Sequence, residues 1–273
     1  MTRILHLSDL HFGYERAALE AALLDRVNAA GADLVVVTGD LTHRGRSAQF
    51  IQAAAFLRRI EAPLIAVPGN HDIPLFKLMD RMLTPYVRWK RHIAPELEPT
   101  GHVGTVRVQG VNSVDPLAWQ RGIITREQVA RVVAGLEAGC INIVALHHPM
   151  QQGPQVDKAL MQGATTALGR FEAEGVHLVL SGHLHRWSLG AFLGPQGRPL
   201  LQLQAGTALC ARPGDLQNEF CVLDCDGSDL RVIRHVAPMD EPGFRPPQEL
   251  RFSRRNGLWQ PAGQAAGLAS TRS

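Results

Sequence analysis

The first half of the sequence alternates short apolar runs with longer stretches of helical pattern. The runs RILHLS, DLVVVTG and PLIAVPG predict strands, and residues 14–30 and 47–60 between them predict helices. Strands joined through a helix run parallel, and a parallel sheet needs helices packed on its faces. The sequence therefore predicts an α/β fold around a parallel sheet.

The rest of the chain predicts further elements of both kinds. Residues 74–92 predict one basic helix, GTVRVQGVNSV a hairpin, and INIVALHH and VHLVLSGH strands, with helices over 125–136 and near 156–173. After Leu189 the pattern changes to consecutive strands separated by Gly, Pro and Asp turns, and we expect these to form a second sheet. We therefore predict one domain over residues 1–240 and an extended Pro- and Arg-rich tail over 241–273.

Composition excludes few functions. The chain has 273 residues, 45% of them apolar, and a net charge of +3, which is too mild to require nucleic acid as a partner. The N-terminus lacks the basic and apolar regions of a secretory signal, and no apolar run reaches the roughly 18 residues of a membrane span. We expect a cytoplasmic protein without a membrane span; its oligomeric state is not determined by the sequence.

Polar side chains gather at the ends of the predicted strands. They are Asp9 and His11 after the first strand, Asp40 after the second, Asn70 and His71 after the third, His147 after INIVAL, and His183 and His185 after VHLVL. Ligands of open α/β sheets bind at the carboxyl ends of the strands. We expect these groups to meet in one cleft.

The expected ligand set is two carboxylates, one amide oxygen and four imidazoles, which suits Mn, Fe, Zn or Co. Seven ligands are too many for one such ion but fit two ions about 3.5 to 4 Å apart that share a carboxylate. Two divalent ions beside two carboxylates would attract an anion such as a phosphate ester and acidify a water between them. Each element also has a structural explanation, because Asp9 or Asp40 could cap a helix and the GNH turn could be a chain reversal.

The motifs appear in a recognisable order: Asp9-Leu10-His11, Gly39-Asp40, Gly69-Asn70-His71-Asp72, His147, and Gly182-His183-Leu184-His185. In this order they resemble the calcineurin-like metallophosphoesterase family. The resemblance implies a four-layer α/β/β/α sandwich with two mixed sheets. It also implies a ligand set for each of two ions: Asp9, His11, Asp40 and His185 for one, and Asp40, Asn70, His147 and His183 for the other. By the same resemblance Asn70 and His71 contact the substrate, and His71 is the catalytic residue that assists the leaving oxygen.

Within the family, the sequence is most similar to bacterial class III cyclic nucleotide phosphodiesterases, through ILHLSDLHFG, GNHD and ALHHP. The resemblance implies a dinuclear metal-dependent phosphodiesterase that uses a metal-bridging hydroxide on a small phosphodiester, with a cyclic nucleotide such as 3′,5′-cAMP as the best candidate. The alternatives are a nuclease and a nucleotide-linked pyrophosphate hydrolase of the UDP-diacylglucosamine type. A non-enzymatic scaffold is disfavoured because all the ligands are present. We further expect Asp72 to orient His71, and His148 to support the ligands rather than join them.

The stretch FKLMDRMLTPYVRWKRH interleaves basic and aromatic residues over 76–92. It could form a rim that stacks a base and attracts phosphate. We favour an amphipathic helix whose basic side is solvated.

Overall fold

The computed structural model describes residues 1–153, 155–190 and 197–262. Its first half follows the predicted alternation: β1 (Thr2–Leu7), α1 (Ala17–Ala29), β2 (Leu34–Thr38), α2 (Ser47–Leu57) and β3 (Leu64–Val67). The three strands run parallel, with Leu5 beside Val35 and Val36 beside Ile65. Alternate side chains of each strand point to opposite faces, so this sheet buries apolar residues on both sides.

The middle of the chain builds a second sheet. Its elements are a one-turn 3₁₀ helix (Asn70–Asp72), α3 (Leu78–Leu83), α4 (Val87–His92), β4 (Thr100–Val103), β5 (Val106–Val111), α5 (Arg126–Ala134), β6 (Ile141–Leu146), α6 (Ala164–Glu174) and β7 (Leu178–Ser181). Helix α5 begins with a capping box: the Gln128 backbone N–H donates to Thr125 Oγ1 at 3.2 Å, and the Thr125 N–H donates to Gln128 Oε1 at 2.8 Å.

The last strands are β8 (Ser188–Leu189), β9 (Leu201–Gln204), β10 (Gln217–Asp226), β11 (Asp229–Pro238), β12 (Gln248–Arg255) and β13 (Leu258–Pro261). One sheet has the order β13-β12-β11-β10-β1-β2-β3 and the other β4-β5-β6-β7-β9-β8, and both mix parallel with antiparallel pairs. The expectation that the strands after Leu189 form their own sheet is wrong. β8 and β9 complete the middle sheet, whereas β10 pairs antiparallel with β1 and carries β11 to β13 into the first sheet.

Three apolar clusters separate the layers. Ile4, Val36, Ile143 and Leu223 belong to the cluster between the two sheets. A second cluster joins the outer face of the first sheet to α1, α2 and the buried Trp89, and a third joins the outer face of the other sheet to α5 and α6. The predicted four-layer α/β/β/α sandwich with two mixed sheets is confirmed.

The expected single helix over 74–92 is instead two short helices, α3 and α4. Pro85 lies between them; proline fixes its own φ and disfavours helical backbone in the residue before it, and Thr84 has φ of −143°. The expected solvated basic side is present in α4, where Lys90 and Arg91 are exposed, but not in α3. Leu78 and Leu83 of α3 are exposed, while Arg81 is only 3% exposed.

Beyond Glu241 the chain is only partly the extended tail that we expected. β12 pairs with β11 and β13 with β12, and their aromatic residues Phe252 and Trp259 are buried in the cluster between the sheets. The burial of these two side chains explains why this segment joins the sheet. Residues 263–273 of the expected tail lie outside the described residues, and the domain division at residue 240 stays a prediction. Among the described residues, no helix has the length and apolar character needed to cross a membrane.

Candidate metal centre

All seven expected metal ligands lie just beyond the carboxyl ends of strands. Asp9 and His11 follow β1, Asp40 follows β2, Asn70 follows β3, His147 follows β6, and His183 and His185 follow β7. Both sheets therefore contribute to one edge of the sandwich. Each of these side chains is buried. Six of the residues are at most 6% exposed, and the side chain of the seventh, His185, is 3% exposed.

One group of ligand atoms surrounds Asp9. Asp9 Oδ1 lies 3.2 Å from His185 Nε2 and 3.5 Å from His11 Nε2, and these two nitrogens are 3.0 Å apart. Asp40 Oδ2 is 3.5 Å from the same His11 nitrogen. The donor atoms of Asp9, His11 and His185 thus converge on one small volume, and Asp40 Oδ2 lies next to it.

The second group surrounds Asn70. Its Oδ1 lies 3.1 Å from His147 Nε2 and 3.0 Å from His183 Nδ1. Asp40 Oδ2 is 3.3 Å from His147 Nε2, so this one oxygen reaches both groups. The structure brings all seven expected ligands together in the two sets that the family resemblance implies.

The donor set fits divalent cations. Asp9 Oδ1 is buried and has no hydrogen-bond partner, which is unusual for a carboxylate oxygen away from water. The imidazole Nδ1–H of His147 donates to the Thr38 carbonyl at 2.8 Å, which turns Nε2 toward Asp40 and Asn70, where it could bind a metal once its proton is released. The seven expected ligands offer nitrogen and oxygen donors, which suit divalent transition-metal cations, and the identity of the metal stays a prediction.

The backbone at these positions is unusual. Asp9, His11, Asp40, His183 and His185 have φ between 51° and 76°, and among the described residues Asn256 is the one other non-glycine residue with positive φ. Left-handed backbone costs a side-chain-bearing residue about 1 kcal/mol or more. Such strain collects at functional sites, because the turns there aim side chains that an extended strand would point elsewhere.

Two motif glycines are required by close approach. A Cβ on Gly69 would collide with the Asp40 side chain and backbone, and a Cβ on Gly182 would collide with Ser8 Oγ and the Asp9 carboxylate. The glycines that precede Asn70 and His183 therefore allow the two strand ends to approach the acidic ligands.

Opposite charges determine the ionisation of the cluster. Burial opposes ionisation of Asp9, but the imidazoles of His185 and His11 outweigh it and hold the pKa of that carboxyl well below its usual range. Burial likewise disfavours the charged form of His147, yet Asp40 raises its pKa to about 9. The cluster is thus built around anionic carboxylates that attract cations, whether protons or metal ions.

The expected catalytic residue His71 lies beside the ligands. Its backbone N–H donates to Asp40 Oδ1 at 2.8 Å, and its ring lies edge to face with the His11 ring at 5.0 Å between centroids. The ring Nδ1–H donates to the His43 carbonyl at 2.6 Å, so His43 orients the imidazole. The expectation that Asp72 orients it is wrong: the Asp72 carboxylate accepts from the Gly69, Leu41 and Thr42 backbone N–H groups and holds the loops together.

His148 lies close behind the second group. Its Nδ1 is 2.9 Å from Ser113 Oγ, and its ring centroid is 4.6 Å from that of His183. Burial and the neighbouring His147 lower the pKa of His148 to about 3, so it is neutral at physiological pH. It packs against the ligands His147 and His183, and its role as a support rather than a ligand stays a prediction.

Sequence reasoning missed Asp215. This residue lies between β9 and β10, and its Oδ2 accepts a hydrogen bond from His185 Nδ1–H at 2.9 Å. Asp215 therefore fixes the orientation of His185 and directs its Nε2 toward Asp9. Burial opposes the charged form of His185, yet Asp9 and Asp215 raise its pKa to about 9. No motif marks Asp215 in the sequence, where it follows an Arg-Pro-Gly turn far from the ligands.

Comparisons with known proteins identify relatives in sequence and in fold. A probable cyclic nucleotide phosphodiesterase of Vesicomyosocius okutanii is 20% identical over 155 residues, which is 54% of this chain and 61% of that relative. The glycerophosphodiester phosphodiesterase GpdQ of Enterobacter lignolyticus is 33% identical over 82 residues, 25% of this chain and 29% of the relative. The matches thus span 29% to 61% of the length of these relatives.

Among solved structures, purple acid phosphatase PPD1 from yellow lupin aligns with a TM-score of 0.69 at 13% identity and covers 91% of this chain and 53% of its own. Vps29 of Chaetomium thermophilum aligns with a TM-score of 0.51 at 12% identity and covers 98% of this chain and all of its own. At these identities the likeness concerns the fold. The sequence profile of the calcineurin-like phosphoesterases matches residues 2–187, which include all seven candidate ligands, so the chain belongs to the calcineurin-like phosphoesterase family.

Proposed function

We propose that this chain is a metal-dependent phosphodiesterase that holds two divalent cations and hydrolyses a small phosphodiester, with a 3′,5′-cyclic nucleotide such as cAMP as the first candidate. The observation that carries the proposal is the position of Asp40 Oδ2. It lies 3.5 Å from His11 Nε2 and 3.3 Å from His147 Nε2, so one carboxylate oxygen borders two separate groups of ligand atoms. A shared carboxylate of this kind is the usual connection in two-metal hydrolases.

Each cation would have its own residues. Asp9, His11 and His185 would hold one, Asn70, His147 and His183 the other, and Asp40 both. When bound, two divalent ions lower the pKa of a coordinated water and neutralise the charge of the phosphate oxygens. Two divalent cations beside two carboxylates leave an excess positive charge of about two, which favours an anionic phosphodiester.

In this proposal His71 would donate a proton to the leaving oxygen. Its Nδ1–H is used by the His43 carbonyl at 2.6 Å, so a protonated ring presents Nε2–H as its free donor. The N–H contact with Asp40 Oδ1 at 2.8 Å fixes the His71 backbone relative to the ligands. Proton transfer from Nε2 would neutralise the alkoxide as its bond to phosphorus breaks. The Asn70 amide lies beside this ring in the chain and would contact the same phosphate.

The relatives support a diester as substrate. Two are named as phosphodiesterases, one of cyclic nucleotides and one of glycerophosphodiesters. A third, the DNA double-strand break repair protein Mre11 of Archaeoglobus fulgidus, is 28% identical over 85 residues. Nuclease activity and pyrophosphate hydrolysis, the alternatives left open by the sequence, belong in the test as competing outcomes.

The test combines metal analysis with a substrate panel. The purified protein should bind about two equivalents of Mn²⁺ and hydrolyse bis(p-nitrophenyl) phosphate. The panel contains 3′,5′-cAMP, 2′,3′-cyclic nucleotides, a glycerophosphodiester, a UDP-linked sugar, single-stranded DNA and a phosphomonoester. Fastest hydrolysis of 3′,5′-cAMP supports the proposal in full. Binding of at most one ion, without diesterase activity under any divalent metal, refutes it; preference for DNA or the monoester refutes the proposed substrate.

A further inference from the structure

Helix α3 exposes the side chains that helices normally bury. Leu78, Met79 and Leu83 are 63%, 67% and 71% exposed, whereas Arg81 in the same helix is 3% exposed. A soluble helix of six residues gains its stability from packing its apolar side against the protein. Here the apolar side faces outward, which is the kind of exposure that marks an interaction surface.

Arg81 holds this helix in its inverted orientation. Its guanidinium donates to the Pro116 carbonyl at 2.7 Å and to the carbonyls of Pro74 and Ala118, and it lies 5.4 Å from the centroid of the Trp119 ring. The arginine therefore connects α3 to residues 116–119. Because the buried guanidinium makes several hydrogen bonds, it fixes the orientation of α3. The exposure of the apolar side chains is therefore a stable feature of the fold.

Helix α3, the flanking residues Phe76 and Val87, and residues 116–119 together form what we call the exposed apolar face. Eight of the twelve large apolar side chains that are exposed among the described residues lie here: Phe76, Leu78, Met79, Met82, Leu83, Val87, Leu117 and Trp119. Concentration of two thirds of these side chains in one region separates this face from the scattered apolar residues of an ordinary surface.

The exposed apolar face is accompanied by positive charge. Besides the buried Arg81, residues 76–92 contain four Lys or Arg residues and one acidic residue, Asp80. The Asp80 carboxylate is already shared between Lys77 at 3.9 Å and Arg88 at 3.4 Å. Lys90 and Arg91 of α4 are exposed. The surroundings of the face therefore carry an excess of cations, which selects an anionic partner.

The face lies beside the metal centre. The Arg44 guanidinium is 5.5 Å from the centroid of the Phe76 ring, and Arg88 donates to the Gly45 carbonyl at 3.2 Å. Arg44 directly follows His43, whose carbonyl accepts from the His71 ring. A partner on the exposed apolar face would therefore adjoin the loop that orients His71.

We propose that the exposed apolar face docks on an anionic lipid bilayer. Segments that bind at a membrane interface combine apolar residues such as Leu, Met, Phe and Trp with Lys and Arg. Their apolar side chains enter the headgroup region, and their cations contact anionic lipid headgroups. A second copy of the chain fits less well, because a two-fold interface would place the cationic surroundings of both copies together. The proposal is independent of the reaction at the metal centre.

The test is co-flotation of the full chain with vesicles of phosphatidylcholine alone or mixed with phosphatidylglycerol. At low salt the wild-type protein should bind the anionic vesicles at least about tenfold more than the neutral ones. The double variant Met79→Ser/Leu83→Ser should lose about tenfold in binding, and Lys90→Glu/Arg91→Glu should lose the preference for phosphatidylglycerol. Leu216→Ser is the matched control, because Leu216 is 73% exposed outside the face, and it should bind like wild type.

Circular dichroism and the melting temperature of each variant establish that it is folded. Equal binding of wild type and Met79→Ser/Leu83→Ser to anionic vesicles overturns the proposal, as does failure of the wild type to bind them at low salt. Sedimentation velocity adds a further outcome. A wild-type dimer that the double variant converts to monomer, without vesicle binding, identifies the face as a contact between copies and also overturns the proposal.

Discussion

Replacement of Asp215 by Asn should weaken metal binding without disturbing the fold. The carboxylate side chain is 6% exposed and accepts from His185 Nδ1–H at 2.9 Å. Asparagine keeps an oxygen in this position but loses the charge that makes His185 a stronger donor. Loss of such a partner costs about 10- to 100-fold in metal affinity. We place Asp215→Asn near the lower limit, about 1.4 kcal/mol, and Asp215→Ala, which also loses the acceptor, near about 2.7 kcal/mol.

The assay is competition for Mn²⁺ against a fluorescent chelator, read as two binding constants. Only the ion held with His185 should weaken, so the second constant should stay within about twofold of wild type. Asp224→Asn is the control: this buried carboxylate pairs with Arg3, at the opposite end of β1 from the ligands. Wild-type affinity in both Asp215 variants, or equal loss in Asp224→Asn, would refute the role of Asp215.

Three further predictions concern the same cluster. Asp40→Ala should abolish the binding of both ions and the diesterase activity. His71→Ala should retain its metal, measured by elemental analysis, and lose about 10²- to 10⁴-fold in turnover. Equal metal loss in the two variants would contradict the assignment of His71. Because their pKa values are about 9, His147 and His185 are protonated at pH 7, so Mn²⁺ binding should release about two protons and tighten as pH rises toward 9. Calorimetry in buffers of different ionisation enthalpy measures this release, and none at pH 7 would count against it. Gly182→Ala should lower Mn²⁺ affinity at least about tenfold, since its methyl group displaces Asp9; unchanged affinity would mean that the strand end shifts freely.

The sequence predicts the ligands because their positions follow from local pattern. A strand end can be located from where an apolar run stops, and parallel strands bring their ends to one edge. Asp9, Asp40 and His147 could therefore be grouped although they lie far apart in the chain. Asp215 could not, because it reaches His185 from a turn between strands, and the path of such a turn depends on the packing of the whole sheet.

Two further features could not be predicted from the sequence: which strands pair, and which side of helix α3 faces solvent. The sequence of β10 carries apolar residues on both faces of the strand. This predicts that the strand is buried, but it does not predict that β1 is its neighbour. In α3 the spacing of Leu78 and Met82 is that of an ordinary buried side, yet both side chains are exposed, because the hydrogen bonds of Arg81 turn the opposite side of the helix inward. Both results depend on contacts between segments that are distant in sequence.

The left-handed backbone conformation at five ligands has a consequence for the stability of the fold. Glycine adopts these backbone angles without the steric penalty that Asp and His incur, so a chain selected only for a stable fold would favour glycine there. The edge that gathers the imidazoles and carboxylates is therefore held in place by the rest of the sandwich against its own local preference. Aspartate and histidine are kept at these backbone angles because the site needs side chains that glycine lacks, so robustness of the fold and chemistry oppose each other at this edge.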